Sequence, residues 1–193
     1  RGLDKALLSG MKVRVNGYLL DNELLFDAVD PANLTIIKDV STGIFNNVAE
    51  AAIADSQGMQ KAVVLMAYFQ NTSQPTLTQQ TAQDVLFSQT RDYYYEVSYN
   101  KTDLSGDILG WYQLPIDQTC DYDSVRTAAI QAADADVYFP NYSRLIITAP
   151  FGSCNWSGMA TLSKSSLSTN DGSVLMSTAW IQSTSFGKGV MAH

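Results

Sequence analysis

Apolar residues fall along this chain in short runs of strand length and in helical stripes, and the two kinds alternate. The longest run, Ala62-Val63-Val64-Leu65-Met66-Ala67-Tyr68-Phe69, carries no charge. Runs of this kind mark strands buried on both faces of a sheet, although periodicity alone also admits a buried helix. Residues 78–87 place Ala82, Val85 and Leu86 as a helix would, and residues 123–135 do the same with Val125, Ala128, Ala129 and Ala132. Residues 104–114 are strand-rich and broken by Gly106 and Gly110, and 144–149 and 173–182 read as further strands. The tract 92–99 is ambiguous. Its Tyr93, Tyr95, Val97, Tyr99 alternation favours a strand, while Asp92 as an N-cap favours a helix. Upstream, Val13, Val15 and the residues after Gly17 alternate, Asp21-Asn22 offers a hairpin turn, and 34–37 supplies a third short strand.

Strands and helices in alternation predict an α/β (α+β) fold. Between about 39 and 61 the chain turns polar, with Ser41-Thr42-Gly43, Asn46-Asn47 and Ser56-Gln57-Gly58 around one short helix at 49–54. The expected organisation is a β-rich unit at 1–40, a linker at 41–60 and a larger domain at 61–193. No internal repeat is found.

Composition narrows the function classes. The 193 residues are 46% hydrophobic and 16% charged, which indicates a folded chain with a sizeable core. A net charge of −7 without clustered Lys or Arg argues against nucleic acid or an anionic membrane as partner. No apolar run approaches the roughly 20 residues needed to span a bilayer. The chain begins with Arg1 and stops at its only histidine, His193, so it is expected to be a fragment at both ends.

Two features bear on the compartment. The two cysteines, Cys120 and Cys154, either form a disulfide or remain as buried thiols. Joined, they would stabilise the fold by roughly 4 kcal/mol on the loop-closure argument. Five N-x-S/T sequons, at Asn33, Asn71, Asn100, Asn141 and Asn155, are glycosylation candidates in a secreted eukaryotic protein. Secretion is the expectation.

The block Asp92-Tyr93-Tyr94-Tyr95-Glu96-Val97-Ser98-Tyr99-Asn100-Lys101-Thr102-Asp103-Leu104-Ser105-Gly106-Asp107-Ile108-Leu109-Gly110-Trp111-Tyr112-Gln113-Leu114-Pro115 resembles secreted zinc metallopeptidases of the gametolysin type, and is similar to the related immune inhibitor A group. Tyr68-Phe69-Gln70 before it, and Trp180-Ile181 after it, match the family's order and approximate spacing. Gly187 to His193 falls where the HExxH helix of those enzymes begins. The resemblance covers roughly 61–193 and implies that 92–99 belongs to a helix end. It also implies a metzincin-like mixed sheet, of which this chain would hold the N-terminal half. The segment Ser9-Gly10-Met11-Lys12-Val13-Arg14-Val15-Asn16-Gly17 is similar to the β-rich segment that precedes the peptidase domain in the same family. No cysteine lies before Cys120, so a cysteine switch is not available to that segment.

The resemblance implies a definite chemistry. His193 would be the first imidazole ligand of a zinc ion, followed by a Glu general base and a second His one turn on. The metal would lower the pKa of a bound water, and the Glu would take its proton during attack on a peptide carbonyl. Those residues lie beyond His193, so no catalytic residue is present and this piece alone is expected to be inactive. Substrates would be proteins or glycoproteins of a matrix or cell wall. Thr178, Ala179, Trp180 and Ile181 are candidates for pairing with an extended substrate through a strand edge, a plain core strand being the alternative.

Other constellations are weaker. Asp117, Asp121 and Asp123 lack the Gly and terminal Glu of an EF-hand and read as a solvated acidic turn. Ser153 and Ser157 beside Cys154 do not form a Gly-x-Ser-x-Gly pattern, which sets serine catalysis aside. Tyr93 to Tyr99 reads as core and sheet cover rather than a base-stacking platform, because no basic residues interleave with it. The competing class is a non-catalytic secreted peptidase homologue or a β-rich binding module.

Overall fold

The computed structural model describes residues 56–192, together with the backbone of four short upstream strands. The chain divides into two compact units, Arg1–Asp55 and Ser56–His193. In the first, β1 (Lys12–Val15) pairs antiparallel with β4 (Leu34–Lys38). Strand β2 (Tyr18–Leu20) pairs with β3 (Glu23–Leu25), Leu20 facing Glu23. Two residues therefore link them, the spacing of a tight hairpin. The expected helix at 49–54 and the sequon at Asn33 lie outside the described residues.

The second unit is built on a six-stranded mixed sheet. Its strands are β5 (Gly58–Phe69), β6 (Thr102–Leu114), β7 (Arg144–Ala149), β8 (Gly158–Ala160), β9 (Ser165–Thr169) and β10 (Gly172–Gln182). The order is β6-β5-β7-β10-β8, with β9 also on β10. Strands β6, β5, β7 and β10 run parallel, whereas β8 and β9 are antiparallel to β10. This is an α/β fold with an antiparallel edge.

The long apolar run explains the centre of the sheet. Residues Ala62 through Ala67, and Phe69, are fully buried, because β5 is covered on both faces. Odd-numbered Val63, Leu65, Ala67 and Phe69 pack with Val125, Ala129 and Ala133 of helix α3 (Tyr122–Ala133). Even-numbered Ala62, Val64 and Met66 face Ala82, Val85 and Leu86 on the other side. These last belong to a continuous helical stretch: α1 (Gln79–Asp84), a π-helical segment (Val85–Thr90) and α2 (Arg91–Val97). Thr78 opens it as N-cap, its side chain accepting from the Thr81 N–H at 3.1 Å.

Four expectations change. Strand β5 begins at Gly58, inside the stretch read as a polar connector, because Gly58 and Gln60 pair with Thr102 and Leu104. Strand β6 is unbroken at its glycines, which instead let it approach β5 closely and carry a bulge opposite Met66/Ala67. Tract 92–99 is helical to Val97, as the resemblance implied, but Tyr93, Tyr95 and Tyr99 are exposed rather than core. Helical geometry swings an i, i+2 series around the axis instead of onto one face. Strands β8 and β9 went unseen, since their Ser, Thr and Gly content carries no alternation.

Two surface tyrosines give the fold a pH signature. The Tyr142 hydroxyl donates to Asp107 at 2.6 Å, and that of Tyr112 to Asp136 at 3.0 Å. Burial, then the bond to a carboxylate, pushes both phenols up to about 12 from an ordinary 10.0. A phenol raised in the folded state contributes its stabilisation in full below the ordinary value and loses it as pH rises toward the folded one. An absorbance titration is expected to show a late component, lost in the double variant Tyr112→Phe/Tyr142→Phe. Completion of the whole titration near pH 10.0 would contradict this.

Candidate functional site

Strand β8 closes one edge of the sheet, opposite the β6 edge. Its register with β10 sets Met159 opposite Trp180, between the bonds Thr161 N–H to Thr178 carbonyl (2.9 Å) and Gln182 N–H to Ser157 carbonyl (2.9 Å). Antiparallel bonding alternates, so Met159 faces inward and the N–H and carbonyl groups of Gly158 and Ala160 face outward. Natural edges are usually guarded by charge or proline. Here no charged residue occurs from Asn155 through Ser163, while Met159 and Leu162 are exposed.

Below this edge lies a groove of about 810 Å³. Its floor is the sheet face carrying Ala62, Ile146, Ala179 and Ile181, and its far wall includes Leu86 and Tyr94. Helix α4 (Lys188–Met191) closes one side through Val190 and Met191. An apolar floor with a ladder of free amides at its rim is the arrangement that receives an extended peptide: main-chain bonds for affinity, side-chain pockets for choice.

Two contacts seat α4. The Tyr94 hydroxyl donates to the Met191 carbonyl at 3.5 Å, and burial pushes this phenol above its ordinary range. Gly158 lies against Val190 and Ile181, and a Cβ there would come within 2.9 Å of Val190 Cγ1 and 3.0 Å of Ile181 Cδ1. A Gly158→Val variant is therefore expected to displace α4 at a cost of about 1–3 kcal/mol, the range for overpacking. Hydrogen exchange at residues 188–191 is the readout, and unchanged protection there would show that α4 does not rest on Gly158.

The sequence-derived candidates fare unequally. Thr178, Ala179, Trp180 and Ile181 are not an edge: β7 pairs them on one side and β8 takes the other. With both backbone rims occupied they cannot add a further strand; the free rim on this side of the sheet belongs to Gly158 and Ala160 of β8. Trp180 instead packs among Tyr122, Arg126 and the core on the α3 side. Cys120 and Cys154 form a disulfide with Cα atoms 5.9 Å apart, tying the loop before α3 to the β7–β8 connection. Asn71, Asn100, Asn141 and Asn155 are exposed, Asn141 at the end of a 3₁₀ helix (Phe139–Asn141) and the others in turns or bends. His193 lies outside the described residues.

The acidic turn is structural. Asp121 is the N-cap of α3, accepting from the Asp123 and Ser124 amides and from the Ser124 hydroxyl at 2.6 Å. The Ser124 bonds hold its carboxyl below the usual range. Among the described residues no three His, Cys, Asp or Glu side chains converge as a metal would require. Both cysteines are consumed by the disulfide, so the described residues do not offer a zinc ion a complete donor set.

The edge at Gly158 and Ala160 was missed because a three-residue strand has no periodicity. Its lack of charge is no signal either, because the uncharged stretch runs from Leu145 through Ser163 and the stretch 62–83 is uncharged as well. No family model matches the chain, and no curated protein matches it.

Proposed function

We propose that this chain is the peptide-holding part of a secreted zinc-dependent metalloendopeptidase, its N-terminal β-rich unit serving as a pro-segment or accessory module. The observation that carries the reading is the open, uncharged β8 edge beside an apolar groove whose wall, α4, ends two residues before His193 in the sequence. In this reading an extended substrate pairs with Gly158 and Ala160. Side chains on one face of that peptide enter the groove. His193 supplies one zinc ligand, and the remaining ligands and the general base come from residues that follow it. Zinc, when bound, would activate water for attack on the peptide carbonyl. The intramolecular disulfide is compatible with an extracellular location.

The test uses the protein extended through the residues after His193. It is expected to bind one zinc ion per chain, to cleave an unfolded protein substrate, and to lose cleavage on chelation. Cleavage that survives both zinc removal and a His193→Ala substitution would sink the peptidase reading. The same edge also favours a second reading, a non-catalytic binding module, since strand addition needs no metal. Peptide binding without cleavage in the extended, zinc-loaded protein would favour that alternative.

A further inference from the structure

The outer face of α2 and the turn after it expose aromatic side chains; Arg91 lies over the Tyr95 ring at 5.8 Å, while Tyr99 stands out into solvent. Tyr95 is 40% exposed, Val97 51% and Tyr99 86%. A fully hydrated tyrosine ring beside further apolar side chains is a surface that favours cover. The next residue opens the sequon Asn100-Lys101-Thr102.

The turn presents that asparagine outward. Tyr99 and Asn100 both take left-handed backbone, φ 56° and 63°. The turn is closed by the Tyr99 N–H to the Glu96 carbonyl at 3.0 Å and the Asn100 N–H to the Tyr95 carbonyl at 2.8 Å. Asn100 is exposed, and among the described residues its side-chain amide forms no hydrogen bond. Two of the other three described sequons differ, and the third asparagine, Asn141, ends the 3₁₀ turn Phe139–Asn141. The Asn71 Oδ1 holds the Gln118 N–H at 2.9 Å, and Asn155 abuts the half-cystine Cys154 and is followed by the half-buried Trp156. Asn100 alone among these four has threonine two residues on; the others end in Ser73, Ser143 and Ser157.

We propose that Asn100 is an N-glycosylation site and that its first sugar lies over the Tyr99 ring. A hexosamine presents a face of C–H groups that packs against an aromatic face, while its hydroxyls remain in water. The co-reactant is a lipid-pyrophosphate-linked oligosaccharide. The Asn100 Nδ2 forms a bond to C1 of the first sugar, the C1–O bond to the pyrophosphate breaks, the leaving pyrophosphate keeps the bonding pair, and the amide gives one proton to a base of the transferase. In the folded unit the Thr102 hydroxyl donates to the Ser56 carbonyl at 2.7 Å. Transfer therefore precedes closure of that contact, on the chain as it emerges.

This inference rests on the secretory part of the proposed function and not on its peptidase part. The full chain is expressed behind a cleavable leader in eukaryotic secretory cells, released from glycans enzymatically in heavy-oxygen water, and mapped by mass spectrometry. Asn100 is expected to carry the aspartate label, and Asn100→Gln to remove one glycan step in gel mobility and to raise hydrophobic-dye binding. Tyr99→Ala is expected to abolish that rise. A bare Asn100, or dye binding indifferent to its glycan, overturns the proposal. The oxidation state of Cys120 and Cys154 in the same sample reports on the secretory assumption separately: a folded chain lacking that bond counts against secretion itself.

Discussion

Replacing Cys120 and Cys154 together by serine is expected to lower the unfolding free energy of the Ser56–His193 unit by roughly 4 kcal/mol, the loop-closure value for their separation. The bond does more than shorten the unfolded chain. It fixes the loop before α3 to the segment that enters β8, at a point where Phe151 and Trp156 lie 4.9 Å apart and Tyr122 lies 6.0 Å from Trp156. Gln118 reinforces the junction from the same loop, donating its side-chain amide to the Pro150 carbonyl and its backbone N–H to Asn71. Denaturant unfolding of the oxidised and serine forms measures the effect. Hydrogen exchange should place the largest local loss at residues 150–160, next to the proposed peptide edge. A difference below about 1 kcal/mol would mean that packing around Phe151 holds this junction without the bond.

Gly106→Ala is expected to be almost as damaging, at on the order of 3 kcal/mol. Gly106 lies in β6 opposite Ala62 of β5, at φ +152°, and a Cβ there would overlap the Ala62 carbonyl group. The neighbour is backbone of a strand buried on both faces, so neither a rotamer change nor a small shift relieves the clash. Gly172→Ala provides the control. That glycine also has positive φ, +107°, but nothing lies within 4 Å of the added methyl. Its cost should stay near 1 kcal/mol, the backbone term alone. Equal losses in the two variants would show that φ, and not the approach of β6 to β5, governs the effect.

How far the fold could be read depended on how many faces of each element are buried. Strand β7 has the bounds expected for it, Arg144–Ala149, and β10 begins one residue earlier than expected, because burial fills them with apolar side chains. Helix α3 was equally legible, since Val125, Ala128, Ala129 and Ala133 form one buried stripe. Glycines misled at β6: in a sequence they read as breaks, and only the neighbouring strand reveals a close approach. Edges were illegible for a different reason. A three-residue strand such as Gly158–Ala160 is too short to show an alternation of buried and exposed side chains. The expected substrate strand, Thr178 to Ile181, therefore falls one strand inside the edge, since β8 covers its outer rim.

The measurement that bears most directly on the proposed function is the coding sequence beyond His193. The account predicts Glu immediately after it, a second His three residues after that Glu, and a third His six residues further on, with α4 continuing as the helix that carries them. A stop after His193, or replacement of that Glu or of either later His, would contradict the zinc-peptidase account and leave the β8 edge and its groove as a binding surface.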